Sequence, residues 1–445
     1  MGRSFSDFVL NTQFEDIPRS TISRVQDLVL DLIGVSAAAV ELEASVIVRE
    51  MAGQLYGAGP NAVPARILFD GQQISRAGAA WAGANQIDSL DAHDGYSMAK
   101  GHAGCGLLPG VLAFCEGREV RGQEFLAAMV IGYEVASRAG VALHGTVSDY
   151  HTSGAWVSVA VAALGVRLAG GDAELLRQAI GIAEYHGPRS QMMREIDNPT
   201  MLHDGSGWGA MAGVVAAELA LSGFAGAPAV TVEAEEAAVF WADLGDVWLT
   251  EQQNIKLYPI CRWAHAPIKA ALDLRDKHGL DAADIAEIEI HSFHEATRLA
   301  RSIPETTGKA QYSISYPVAS ALHLGRVGAK EVAPETFGDP MLADLVARTS
   351  VHECDHCNSN FPADRLGRTV VITKSGERLD SGITRAPGEH TNPIDRAGIV
   401  EKYDAYASSV LPVERAEAIM AAVFGLAADH VRTDIMTDLL YSPVK

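Results

Sequence analysis

At 445 residues, 48% hydrophobic and 20% charged, the chain is too long for one ordinary domain and has the composition of a globular protein with a large core. Its formal net charge of −21 excludes nucleic acid and anionic membrane surfaces as partners, so an acidic ligand must be met by a local cluster of Lys, Arg and His. The five cysteines (Cys105, Cys115, Cys261, Cys354, Cys357) are an odd set, and MGRSFSDFVL lacks the marks of a secretory signal, which implies reduced thiols in a cytoplasmic protein.

The first ten residues also place Met1-Gly2 ahead of Ser6 in the order of a myristoylation signal, with no other feature in support. Residues 20–40 then read as a helix capped by Ser20, with Ile22, Val25, Val29, Leu32 and Ile33 on one face. Similar patterns recur at 74–92, 105–116, 122–142, 154–170, 174–185 and 208–222. Loops rich in Gly and Pro separate them, such as YGAGPNAVP and LSGFAGAP. No segment reads as a membrane span. The most tempting one, 205–227, carries Glu218 and is mostly Gly and Ala, the composition of a buried helix.

Near residue 285 the texture changes. AEIEIHS alternates at the strand period, with Ile288 and Ile290 on one face. TGKAQYSISYPVASALHLG runs from a loop into a helix, and RTVVITKSGERLDSG breaks at Lys374-Ser375-Gly376-Glu377 as a hairpin. After Pro393 the helical pattern returns, most clearly in ERAEAIMAAVFGLA. The expected fold is mainly α: a large all-helical domain over 1–260, a smaller α+β lid domain over 261–395, and a C-terminal helical tail over 396–445 packing back on the first domain.

Candidate chemistry concentrates in four places. LDAHDGYSMAKGHAGCGLLPG crowds Asp88, Asp91, His93, Asp94, Lys100 and His102 into a stretch whose glycines let backbone approach a ligand. His151, in SDYHTSGAWVSVA, and His203, in NPTMLHDGSGWGAMAG, each precede a helix start, where free amides favour a carboxylate. IKLYPICRWAHAP gathers Lys256, Tyr258, Arg262 and His265 near the expected domain boundary, where ligands bind most often. Met192 and Met193 read as core or pocket lining. HECDHC (His352, Cys354, His356, Cys357) has zinc-like residues but no second ligand pair, so no metal is expected. A dinucleotide fingerprint after a strand, a Walker loop and a GxSxG elbow are all missing.

Taken in order, these segments resemble the MmgE/PrpD family over nearly the whole chain. The resemblance rests on Asp91 and Asp94 leading to a turn at His102, a His-x-x-Gly turn at His151, the segment Thr200 to His203, Lys256 to Pro259, and YSISYPVASAL with Tyr316. Two positions depart from the family pattern: Ala103 follows His102 where proline is expected, and Met201 stands in place of a lysine.

The resemblance implies a lyase of the 2-methylcitrate dehydratase type, working without cofactor or metal, usually as a homodimer, on a small di- or tricarboxylate. It implies a site of Asp91, His102, His151, Lys256 and Tyr316, with Asp94, His203, Tyr258 and Arg262 as further substrate contacts. Such chemistry forms or quenches a carbanion or enolate beside a carboxylate, needing a base near neutral pKa and fixed positive charge. His102 and His151 are the expected proton carriers, Lys256 a carboxylate anchor and Asp91 a histidine orienter. A hydro-lyase is the leading expectation. An epimerase or decarboxylase at the same site, and a non-catalytic carboxylate-binding homologue, stay open.

Overall fold

The structure is a computed structural model and describes residues 3–444, so the Met1-Gly2 start lies outside the described residues. The helices expected from periodicity occur at Arg19–Ala38, Arg76–Leu90, Gly104–Cys115, Gly122–Thr146, Gly154–Leu168, Ala173–His186 and Ser206–Leu221. Ser20 is not the cap of the first. That helix starts at Arg19 behind Pro18, whose fixed φ already suits a helix entry, and Ser20 lies within its first turn.

Small residues set how closely these helices pack. Gly154–Leu168 runs through the middle of the helical part, against Gly122–Thr146, Ala173–His186, Gly104–Cys115 and Ser206–Leu221. At the last crossing, a Cβ on Gly209 would sit 2.5 Å from the Gly154 carbonyl oxygen, so only glycine permits the approach. Gly122–Thr146 is the one described helix long and apolar enough to cross a membrane, and nearly all of it is buried in the core.

The amino-terminal part is not wholly helical. Pro64–Arg66 and Gln73–Ser75 form a two-stranded antiparallel ribbon, each strand too short to show an alternating pattern. A helix at Glu43–Leu55 also precedes it, beyond those expected.

A small mixed sheet forms later in the chain. Ile285–Ser292 lies between Thr349–Glu353, parallel to it, and Leu366–Thr373, antiparallel to it. Leu366–Thr373 pairs in turn with Arg378–Asp380 through the expected turn, where Gly376 has φ +86°. The helix His265–His278 packs on the sheet, and Thr369 Oγ1 donates to the Pro267 carbonyl at 2.9 Å.

The C-terminal helix Arg396–Ala407 returns to Arg19–Ala38. Lys402 Nζ pairs with buried Asp31 at 2.6 Å and Arg396 with Asp27 at 2.6 Å. A helical molecule with one small mixed sheet and a two-stranded ribbon is therefore the architecture of the described residues.

Candidate active site

A cavity opens where the loop after Arg76–Leu90 meets the segment 254–263 and the loop before Leu366–Thr373. Its wall includes Asp91, Lys100, His102, Asp204, Lys256, Arg262, Tyr312 and Arg365.

Backbone pairing fixes the loop. Gly95 and Asn254 exchange amide bonds at 3.1 and 2.6 Å, and Tyr96 N donates to the Gly101 carbonyl at 2.9 Å. The segment carrying Lys256 is held from the core by Glu134, which accepts from Leu249 N at 3.0 Å and from Thr250 N at 2.8 Å.

His102 is held at both ring nitrogens. Nδ1 donates to the Asp94 carbonyl, and Nε2 faces Asp204 Oδ2 at 3.2 Å. Its backbone N–H donates to Ser153 Oγ at 2.8 Å, and that hydroxyl donates to the same Asp204 oxygen at 3.1 Å. The carbonyl fixes the Nδ1–H tautomer and leaves the Nε2 lone pair on the cavity side. Burial, then the charges of Lys256 and His93, hold this imidazole well below its ordinary pKa, so it is neutral.

Asp204 shows the opposite shift. Burial, then Asp88 and Asp91, push its carboxyl up to about 7. A neutral imidazole and an aspartic acid near its midpoint therefore share one proton between Nε2 and Oδ2.

Lys256 is buried with its ammonium against Asp91 Oδ1, and donates a second bond to the Asp91 carbonyl at 3.2 Å. Asp91 reaches it because it caps Arg76–Leu90 in the left-handed region, with φ +51°. An ammonium has three donors, so one remains for a ligand. Asp91 was expected to orient a histidine and instead orients this lysine. Asp204 is the carboxylate on the histidine.

Arg262 is also committed, with Nη2 3.0 Å from Glu389 Oε1 and Nη1 donating to His265 Nδ1 at 3.1 Å. Burial, then Arg262, keep His265 well below its ordinary value, and it donates from Nε2 to the Ile260 carbonyl at 3.0 Å.

Five expected residues lie off the cavity wall. The His151 ring is buried with Nδ1 unpartnered, while its backbone N–H donates to His144 Nε2 at 3.2 Å. His203 bonds through Nε2 to Gln311 Oε1 at 2.8 Å. Tyr258 packs its ring on His265, and Tyr316 spends its hydroxyl on the Glu331 carbonyl at 2.7 Å. Asp94 points inward, its carboxylate accepting from Gly104 N at 3.2 Å, and serves the site through its carbonyl.

Asp204, Tyr312 and Arg365 are among the wall residues that were missed. Asp204 follows His203 at a turn with φ +25° and +63° at Asp204 and Gly205, and the Asp-Gly pair in LHDGSG was the available signal. Tyr312 stands four residues before Tyr316 in the same segment, its hydroxyl donating to Glu195. Arg365 sits in a loop whose sequence carries no signal for it.

Asp88, His93 and Cys105 bring possible ligand atoms within 4.8 Å of one another. Asp88 and His93 already pair at 2.9 Å, and burial drives the Cys105 thiol well above its ordinary value, leaving a neutral thiol beside an ion pair. All five cysteines are free.

Residues 3–247 match the MmgE/PrpD N-terminal domain and residues 258–426 the MmgE/PrpD C-terminal domain. The chain belongs to the MmgE/PrpD family. Asp91, His102 and Asp204 of this site come from the first matched region, Arg262, Tyr312 and Arg365 from the second, and Lys256 from the short segment between them.

Two similar proteins are the cis-aconitate decarboxylase of Aspergillus terreus and the cis-aconitate decarboxylase-like protein oryM of Aspergillus oryzae. The first is 24% identical across 98% of this chain and 94% of its own length. The second is 24% identical across 76% and 77%. Met201, where the resemblance implied a lysine, is half exposed and off the cavity wall.

Proposed function

We propose that this MmgE/PrpD protein is a lyase that moves a proton at a carbon beside a carboxylate of a small anionic substrate. The observation that carries the reading is the His102–Asp204 pair: one shared proton, one fixed tautomer, and the third donor of Lys256 on the same cavity wall.

In the decarboxylation reading, the bond from carbon to the departing carboxylate breaks. Its electron pair stays on carbon as an enolate-like anion, carbon dioxide leaves, and the His102–Asp204 proton passes to that carbon. Lys256 holds the developing negative charge from the cavity wall. The names of the similar proteins and the proton retained on Asp204 near neutrality favour this branch.

A hydro-lyase is the second reading, favoured by the neutral Nε2 lone pair. That nitrogen would take the proton from carbon, and the pair would hand the same proton to the hydroxide leaving the neighbouring carbon, so that water departs. A cytoplasmic location and the homodimer that the family resemblance implies complete the reading.

The deciding experiment is proton NMR of the purified protein with cis-aconitate and with small hydroxy-dicarboxylates and hydroxy-tricarboxylates. Release of carbon dioxide selects decarboxylation, release of water selects dehydration, and an inverted centre with neither released selects epimerisation. A panel left unchanged, with binding intact, would favour a non-catalytic carboxylate-binding protein.

A further inference from the structure

Four cationic side chains line the cavity, and they differ in what neutralises them. Lys256 has Asp91, and Arg262 has Glu389. Lys100 sits at the rim, half-buried, its ammonium 5.4 Å from the centre of the Tyr150 ring. Arg365 is buried with only 6% of its surface exposed, yet no carboxylate lies within 4 Å of it among the described residues. Its partners are neutral: Ser97 Oγ, the Ser97 carbonyl at 3.5 Å and the Pro362 carbonyl at 3.3 Å. Its Nε is buried with no partner.

Glu389 pairs directly with Arg262 and reaches Arg365 only through a hydroxyl. Oε1 is taken by Arg262 at 3.0 Å and Oε2 accepts from Ser97 Oγ at 3.3 Å, the same hydroxyl that Arg365 grips. Two guanidiniums around one carboxylate leave an uncompensated positive charge in a buried wall. Such a charge is costly unless a counter-ion completes it, and a guanidinium fork matches a carboxylate in two parallel bonds.

We infer that Arg365 is a second carboxylate contact of this cavity beside Lys256, the residue by which it tells the di- and tricarboxylates that the family resemblance implies from a monocarboxylate. The inference rests on the proposed reading that the cavity takes a carboxylate, and it adds the residue that counts the carboxylates. Arg365 would be a specificity-determining residue: a monocarboxylate satisfies one end of the cavity and leaves the guanidinium alone, whereas a dicarboxylate satisfies both.

The test compares binding of butyrate, succinate and citrate by titration calorimetry to the wild-type protein and to Arg365→Gln and Arg365→Lys. Wild type is expected to bind succinate or citrate at least about tenfold more tightly than butyrate. Arg365→Gln should erase that preference with butyrate binding unchanged, and Arg365→Lys should keep part of it. In the absence of ligand, Arg365→Gln should melt no lower than wild type, because it removes an unpaired buried charge and not a native ion pair.

Equal dicarboxylate preference in wild type and Arg365→Gln overturns the subsite and leaves the proposed reaction standing. Loss of butyrate binding along with the preference, or a lowered melting temperature without ligand, makes Arg365 structural and overturns it as well. A wild-type protein that binds none of the three probes overturns the carboxylate reading itself. The wild-type comparison needs no variant to fold.

Discussion

The chemistry of this site depends on where one proton sits. His102 Nε2 and Asp204 Oδ2 are 3.2 Å apart, the imidazole held low and the carboxyl pushed up to about 7. Below that pH the pair carries a proton, and above it the pair is empty. The direction of the pH profile therefore separates the two lyase readings. A step that delivers a proton to carbon should slow as pH rises through about 7, and one that begins by removing a proton should speed up over the same range.

The same shift has a sign for stability. Asp204 holds its proton to a higher pH when folded than its ordinary carboxyl value of 3.8, so between these values the folded state binds more protons. Its contribution is lost as pH rises toward about 7, and Asp204→Asn should melt higher than wild type at pH 8 while losing turnover. Thermal melts and rates on one pH series check both. A flat rate across pH 6 to 8, with Asp204→Asn fully active, would contradict the shared proton.

At the level of elements, the aspartates and histidines are delivered by helix ends and by the glycine contacts that bring helices together. Gly209 lies against the Gly154 carbonyl, on the two helices whose entries hold Ser153 and Asp204. Gly209→Val should force those helices apart and shift Asp204 from Nε2. Overpacking of this kind costs about 1–3 kcal/mol, and the expected result is a lowered melting temperature with a loss of activity larger than the loss of folded protein.

The sequence made these elements legible because amphipathic and small-residue helices repeat over long windows, and the strand alternation at Ile288 and Ile290 is equally plain. The two three-residue strands at Pro64–Arg66 and Gln73–Ser75 were not legible, since three residues define no period. Nor was the direction of a side chain within a motif. Tyr312 and Tyr316 share one short segment, and only the break between the helices Thr307–Gln311 and Ser315–Leu324 turns the first toward the cavity and the second toward Glu331.

Across the whole molecule, the site is assembled from distant parts of the chain, which is why motif reading recovered it unevenly. Asp91, His102, Lys256 and Arg262 stand in polar or glycine-rich segments that marked them as candidates, and all four lie on the cavity wall. Arg365 lies 263 residues after His102 in a loop that only the fold brings to Ser97. His151, surrounded by the same signals as His102, ends up behind the wall because its neighbours pair with the segment 190–192. The net charge of −21 makes the cavity's cations stand out, and the proposed carboxylate substrate would meet them.

The most direct test of the central claim is deuterium incorporation beside the carboxylate, followed by proton NMR in deuterium oxide for wild type and His102→Gln. The account predicts that enzyme-dependent incorporation in wild type falls at least about a hundredfold in His102→Gln, with substrate binding retained. Incorporation at the wild-type rate in His102→Gln would contradict it.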